Sequence, residues 1–252
     1  MKRISLILLL LLLQIQVFFA FDSKSILNSG NELYKKGLYS QSASKYQQLV
    51  DSGYMSFGLY YNLGNAYFKA KDNKSAILYY EKANLIKPGD EELEYNLSFA
   101  RSKVVDKIEA IPDLFFVEWT KSFRNQFSAD SWALYSIISF ILALIGFTAY
   151  FFSGQLIIKK SSFWIAGTLL IVSILSVTFA SGAYSSQIKQ RTAIIFVKAV
   201  TVKSSPADSG TNLFVLHEGT KVKIIDKVEN WHKIKIPDGN QGWVKESDLA
   251  KI

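Results

Sequence analysis

The chain of 252 residues contains no cysteine and only two histidines. Without cysteine it cannot form disulfides, thiolate zinc sites or thiol nucleophiles, and it cannot carry a lipoprotein anchor. Charged residues make up 20% and aromatic residues 14%, which excludes a disordered polyampholyte. The sequence has no phosphate-binding glycine loop, G-x-S-x-G motif or H-E-x-x-H motif. We therefore expect no catalytic residues, no metal and no cofactor, and predict that the protein is not an enzyme.

The formal net charge of +8 would suit nucleic-acid binding only if the positive residues were gathered in a folded domain. Residues 21–111 hold 12 basic and 11 acidic residues, whereas residues 112–192 hold six basic and three acidic ones. The second region is also the most apolar one. Basic residues beside membrane segments are explained by the topology of the chain and by contact with anionic headgroups, so they do not indicate nucleic-acid binding. We expect no nucleic-acid partner.

The N-terminus has the pattern of an export signal. Lys2 and Arg3 precede an apolar run that ends at Ala20, so we predict a signal peptide over residues 1–20. Ala20 suits a cleavage site, but the bulky Phe18 does not, and an uncleaved signal anchor remains the alternative. In both cases residue 22 onwards crosses the membrane.

Two further runs, residues 132–152 and 163–184, contain no charge and have about the 20 residues needed to cross a bilayer. We predict two transmembrane helices, with a buried hairpin of a soluble protein as the alternative. The link between them carries Lys159 and Lys160 and no acid, which favours the cytoplasmic side. The flanking regions would then face the periplasm from a bacterial inner membrane, although Lys189 and Arg191 argue mildly against this orientation.

Before these runs the sequence repeats with a period of 34 residues. Gly30 and Gly64 are one period apart, as are Tyr46 and Tyr80. The segment YYNLGNAYFKAKDNKSAILYYEKANLIKP resembles a tetratricopeptide repeat, a helix–turn–helix unit of this length. The resemblance implies an all-α repeat domain over residues 24–105. A third helix would close the stack, with docking on the membrane or on a partner as a substitute.

Asparagines follow the same period, and the resemblance implies a concave face whose amides bind an extended peptide. The candidate peptide-binding residues are Asn28, Asn31, Asn62, Asn65 and Asn96. The alternative is that these amides are surface or capping residues copied by duplication. Leu27 and Asn96 occupy positions that are basic in carboxylate-binding members, so we do not expect capture of a C-terminal carboxylate.

Residues 106–131 separate the repeats from the membrane segments. On a helix, four aromatic residues share one face opposite Glu118, Lys121 and Asn125: Phe116, Trp119, Phe123 and Phe127. An aromatic stripe with basic flanks predicts an amphipathic helix at the membrane interface. The alternative is a stripe that packs on the repeat domain.

Residues 193–252 change to short alternating strands separated by turn residues. The segments LHEGTKVKII, NWHKIKI and DGNQGWV resemble bacterial SH3-like domains, which implies a small all-β barrel that binds peptides or cell-wall material. Trp231 and Phe214 are candidate surface residues, although partial burial of Trp231 is an equal alternative, and Trp243 is expected in the core. His217 and His232 are interpreted as surface strand positions.

The complete order of segments describes a multidomain membrane protein with tetratricopeptide repeats, two transmembrane helices and an SH3-like barrel. This combination resembles the BatE-like proteins of the bacterial aerotolerance (Bat) operon. The resemblance implies a periplasm-facing scaffold in the inner membrane, with other Bat-operon proteins as partners, some of them carrying von Willebrand factor A domains. The alternative is a protein that binds or senses peptidoglycan through its SH3-like domain.

Overall fold

The computed structural model describes residues 23–109, 111–112, 114–189 and 192–252. The predicted signal at residues 1–20 lies outside the described residues. The described chain consists of a helical repeat region, two long apolar helices and a C-terminal antiparallel sheet, which confirms the predicted fold class.

The repeat region consists of two antiparallel helix pairs and one further helix. Its helices are α1 (residues 23–35), α2 (Tyr39–Asp51), α3 (Phe57–Lys69), α4 (Asn73–Ile86) and α5 (Glu91–Ser102). Ser56, Asp72 and Asp90 cap α3, α4 and α5 by accepting a hydrogen bond from a backbone N–H of the first turn. The predicted 34-residue period therefore corresponds to one helix pair.

Glycine at two equivalent positions allows the paired helices to approach closely. A Cβ atom on Gly30 would lie 2.6 Å from the Tyr46 ring, and one on Gly64 would lie 2.5 Å from the Tyr80 ring. Both tyrosines are almost completely buried in the repeat core. The first helix of each pair thus needs glycine because the tyrosine of the second helix lies directly against its backbone.

Three helices follow the repeats: α6 (Phe115–Arg124), α7 (Ala129–Phe152) and α8 (Leu156–Lys189). Helix α7 and residues Leu156–Ser185 of α8 are long and apolar enough to cross a membrane. They pack as a hairpin in which the hydroxyls of Ser136 and Ser173 lie 3.2 Å apart and Gly146 faces Ala166. Small residues at such an interface let two membrane helices approach closely.

The C-terminal region forms a seven-stranded antiparallel sheet in the order β3-β2-β6-β5-β4-β1-β7. The strands are β1 (Thr192–Ile195), β2 (Ala199–Lys203), β3 (Asn212–His217), β4 (Lys221–Val228), β5 (Trp231–Lys235), β6 (Gln241–Lys245) and β7 (Leu249–Lys251). Val202, Leu216, Ile234 and Val244 lie in its core. Trp243 does not: it is half-buried, because alternation along β6 directs Val244 inward.

One histidine prediction is wrong. His232 is only 3% exposed, and neither of its ring nitrogens has a hydrogen-bond partner among the described residues. It occupies an inward position on β5, two residues before the buried Ile234, so the period of the strand places it in the interior. His217 remains partly exposed, as expected.

The sheet docks directly on the repeats. Ile194 of β1 is completely buried within the repeat core, and Phe196, Ala250 and Ile252 pack against that core from the same side. The turn at Gly219 approaches the side chains of Ile77 and Val104. The end of the repeat stack is therefore covered by α5 and by the sheet of the same chain. Burial of each large aliphatic side chain stabilises such an interface by about 1.5–3 kcal/mol.

Candidate functional site

Two of the periodic asparagines hold the tyrosines of the repeat core. The Tyr46 hydroxyl donates to Asn31 Oδ1 at 2.7 Å, and the Tyr80 hydroxyl donates to Asn65 Oδ1 at 2.7 Å. Burial raises the pKa of both tyrosines, so the hydroxyls stay protonated and act as donors at neutral pH. Each amide oxygen therefore has a structural partner, while neither amide nitrogen makes a hydrogen bond within the described residues.

Asn96 connects the last helix to the second repeat. Its amide nitrogen donates to the Tyr61 hydroxyl at 2.9 Å and to Asn65 Oδ1 at 3.3 Å. The Tyr61 hydroxyl in turn lies 3.4 Å from Glu92 Oε2. Asn96 thus contributes to a network between α3 and α5 rather than standing free.

The other two asparagines have no such partner. Asn28 is exposed and Asn62 is half-buried, and neither side chain makes a hydrogen bond within the described part of the chain. Asn31, Asn62 and Asn65 line one cleft of about 230 Å³ together with Tyr34 and Lys35. Asn62 also lines an adjoining cleft of about 360 Å³ beside Leu27. Three of the five predicted amides therefore meet in one cleft, and Asn28 and Asn96 line neither.

Two exposed aromatic side chains on α5 are not among the residues predicted from the sequence. Tyr95 is 70% exposed and Phe99 is 45% exposed, and the Phe99 ring packs edge-on against Phe68. They stand one period after Tyr61 and Asn65, so the 34-residue repeat could have identified them. Phe99 stands at the position equivalent to Asn65, which lines the cleft, and we define the groove face as the exposed side of α1, α3 and α5.

The two candidate SH3-like surface residues are not brought together. Trp231 is half-buried, with the Lys245 ammonium 5.4 Å from its ring, and Lys245 pairs with Asp208 at 2.7 Å. Phe214 packs against the core of the sheet and lines a different cleft. Among the described residues the two aromatic side chains share no cleft.

The linker after α5 lies on the SH3-like region. The Asp106 carboxylate accepts hydrogen bonds from the His217 backbone N–H at 2.7 Å and from the Thr220 hydroxyl at 2.6 Å, and it lies 2.6 Å from His217 Nδ1. Burial alone would raise the pKa of Asp106, but these donors hold it below its ordinary value. Ile108 packs against the core of the sheet, and the Ile111 N–H donates to the Pro237 carbonyl. The first part of the predicted interfacial segment therefore contacts this sheet.

A buried acid joins the two domains. Glu81 on α4 is 3% exposed, and its carboxylate pairs with Arg101 on α5 and, at 2.8 Å, with Lys221 on β4. Burial opposes ionisation of Glu81, but the two cations hold its pKa below the ordinary value. We call the contact between the repeats and the sheet around Glu81 the docked face.

The aromatic stripe of α6 divides into two pairs. Phe116 and Trp119 are 62% and 63% exposed, whereas Phe123 and Phe127 pack against Trp132 at the start of α7. Phe123 also contacts Phe179 of α8. Trp119 stacks on Phe123 within α6, so the described aromatic contacts of this helix are internal or with the apolar hairpin, while Phe116 and Trp119 stay exposed.

Two family models match parts of the chain. Residues 57–90 match the tetratricopeptide repeat, and residues 198–250 match the bacterial SH3 domain. No curated protein matches the chain. The first match covers α3, α4 and the turn that follows, and the structure shows the preceding helix pair to be a second copy of the same unit. The chain thus contains two modules that are typical of non-catalytic binding proteins, joined by two candidate membrane helices.

Proposed function

We propose that this protein is a non-enzymatic, membrane-anchored scaffold whose groove face binds an extended segment of a protein partner. The observation that carries the proposal is the cleft lined by Asn31, Asn62 and Asn65, whose amide nitrogens make no hydrogen bond to any residue that the structure describes. An extended peptide presents backbone carbonyls at regular intervals, and amide nitrogens donate to them. The exposed rings of Tyr95 and Phe99 on the adjoining helix offer apolar area for partner side chains.

The membrane hairpin would fix the scaffold in the bacterial inner membrane, with the repeats and the SH3-like domain on the periplasmic side. Support comes from the export-signal pattern at residues 1–20, the basic link at Lys159 and Lys160, and the exposed aromatic pair of α6. The resemblance to BatE-like proteins of the aerotolerance operon suggests the partners: other Bat proteins, including those with von Willebrand factor A domains.

A pull-down of the full chain from detergent-solubilised, crosslinked membranes tests this function. Wild-type protein is expected to recover a Bat partner, and the variant Asn62→Ala/Tyr95→Ala to recover at least tenfold less, since anchor residues of an interface each contribute 1 kcal/mol or more. Gln41→Ala/Ser44→Ala removes two exposed polar residues from α2 and serves as the control. Recovery of no Bat protein by wild type, or equal recovery by both variants, would contradict the proposal.

The second candidate function is binding of peptidoglycan, and the match of residues 198–250 to the bacterial SH3 domain favours it. Trp231, partly exposed beside Lys245, is the residue we assign to such a surface. Sedimentation of the detergent-solubilised chain with purified peptidoglycan tests it. Binding that Trp231→Ala abolishes would support a cell-wall reader, whereas no sedimentation of wild-type protein would leave protein binding as the function.

A further inference from the structure

A second cleft, of about 590 Å³, opens between the repeats and the SH3-like sheet. Four basic residues line it, and the single acid among its lining residues is Asp106, which already accepts the hydrogen bonds described above. The basic residues are Arg101, Lys221, Lys223 and Lys235. Arg101 and Lys221 pair with Glu81, so the positive charge that no described acid neutralises is that of Lys223 and Lys235.

Two of these lysines stand directly opposite each other. Lys223 on β4 pairs in register with Lys235 on β5, and Lys223 also pairs with Thr192 on β1. Neither lysine forms an ion pair within the described residues, and both are exposed. Like charges at facing positions of adjacent strands destabilise a sheet. An anion bound between them would remove that repulsion.

The cleft also contains an unsatisfied hydroxyl. Thr192 is only 9% exposed, and its Oγ1 has no hydrogen-bond partner among the described residues. A buried hydroxyl without a partner costs about 1–3 kcal/mol. Thr192 lines the cleft, but its hydroxyl oxygen is buried, so a bound anion accepts its hydrogen bond only after a change of the χ1 rotamer.

The position of the cleft indicates the source of the anion. Helix α8 ends at Lys189, and Thr192 follows three residues later, so the chain allows at most about 11 Å between them. The apolar part of α8 ends at Ser185, about one helical turn before Lys189. The row of Thr192, Lys223 and Lys235 thus lies close to the headgroup layer of any membrane that the hairpin spans.

Accessible apolar residues also line the cleft. Ile108 of the linker is half-buried there, and Pro237 is exposed, whereas Val222 and Ile236 belong to the buried core of the sheet beneath the lysines. Apolar residues beside a cationic rim suit an amphipathic anion better than a free inorganic ion.

We propose that this cleft binds the phosphate of an anionic glycerophospholipid, with Lys223 and Lys235 as its cationic ligands and Thr192 as a donor. The site is separate from the groove face, so it depends on membrane anchorage and not on a peptide ligand. Bound lipid would hold the two docked domains at a constant height above the membrane surface.

The test uses the full chain in neutral detergent and short-chain dihexanoyl lipids, with bound molecules counted by native mass spectrometry. Phosphatidylglycerol is expected to bind and phosphatidylcholine is not. Lys223→Gln/Lys235→Gln should weaken binding about tenfold or more, because each lysine near an anionic headgroup contributes about 1 kcal/mol. The control Lys36→Gln/Lys198→Gln removes the same charge from two exposed lysines outside the cleft and should change binding less than twofold.

Thr192→Val provides a second variant that keeps the shape of the side chain. It should weaken binding of phosphatidylglycerol while leaving the melting temperature of the lipid-free protein equal or higher, since it removes an unsatisfied hydroxyl. Inorganic phosphate and glycerol 3-phosphate form a third arm. Equal binding of the two lipids, tight binding of the soluble phosphates alone, or unchanged binding by the Lys223/Lys235 variant would overturn the proposal.

Discussion

The groove face and the docked face belong to the same short stack of helices, but they differ in how completely their polar groups are paired. On the docked face the Glu81 carboxylate is buried, and two cations neutralise it. On the groove face the amide oxygens of Asn31 and Asn65 accept hydrogen bonds from tyrosine hydroxyls, while their amide nitrogens have no partner among the described residues. A fully paired, buried polar group belongs to an interface that the chain has already completed. Half-paired amides in an open cleft leave donors that a ligand can use, as the proposed function requires.

The largest expected effect comes from breaking the docked face. Glu81→Ala leaves Arg101 and Lys221 without their acid at a domain contact and should lower the free energy of unfolding by about 3 kcal/mol. Chemical denaturation of the full chain in detergent measures it. The matched control is Glu32→Ala, which removes an exposed pair with Lys35 and should change stability by less than about 0.5 kcal/mol. Equal effects would show that the docked face does not depend on this ion pair.

A smaller loss of stability is expected when the close approach of the paired helices is blocked. Gly64→Ala places a methyl group against the buried Tyr80 ring and should destabilise the fold by about 2 kcal/mol through overpacking. Gly58→Ala on the same helix meets open space and should be neutral or slightly stabilising, because alanine has the higher helix propensity. Thermal unfolding of the two variants would contradict this explanation if their melting temperatures moved together.

Lowering the pH should weaken the docked face and leave the groove amides unchanged, because amide side chains do not titrate. The folded-state pKa of Glu81 lies below its ordinary value of 4.5, so its stabilising contribution is complete above that pH. The contribution is lost as pH falls through the folded pKa, at no more than about 1.4 kcal/mol per pH unit. Denaturation at stepped pH should give a shallower loss for Glu81→Gln than for wild type below pH 4.5. Parallel curves would contradict the assignment.

The smallest expected changes in stability distinguish Asn65, which accepts a hydrogen bond from a buried tyrosine, from Asn62, which makes no hydrogen bond among the described residues. Asn65→Ala removes the acceptor of the buried Tyr80 hydroxyl and should cost about 1–2 kcal/mol of stability. Asn62→Ala removes no intramolecular hydrogen bond and should stay within about 0.5 kcal/mol of wild type while reducing partner capture. Melting temperatures measured beside pull-down yields check both halves, and a large loss of stability in Asn62→Ala would place that residue with the structural amides.

The periodic residues explain why so much of the fold could be predicted. The helix pairing could be predicted from the 34-residue spacing of two residue types, Gly30 and Gly64 in the first helices and Tyr46 and Tyr80 in the second. The apolar hairpin could be predicted from the uncharged runs at 132–152 and 163–184, because their length alone is enough to identify candidate membrane helices. The third helix that closes the repeat stack was predicted, but the docking of the sheet on the stack could not be, since Ile194 and Glu81 are far apart in sequence and no periodicity connects them.

The candidate site was predicted only in part for the same physical reason. The period located Asn31, Asn62 and Asn65 but could not show that two of them have their oxygens bound to tyrosine hydroxyls. The same period includes Tyr95 and Phe99, which are exposed because α5 is the last helix of the repeat stack. The burial of His232 could have been predicted, because His232 is in phase with Ile234 and Ile236 while Lys233 and Lys235 alternate to the outer face.

Photocrosslinking in living cells tests the central claim most directly, that the groove face is the open interface of an otherwise completed scaffold. A photoreactive amino acid replaces either Asn62 in the groove or Gln41 on α2, in the full membrane-anchored chain. If the proposed function is right, position 62 gives an adduct with a Bat-operon protein and position 41 gives none. Adducts from both positions alike, or from neither while the protein is folded and present in the membrane, would contradict it.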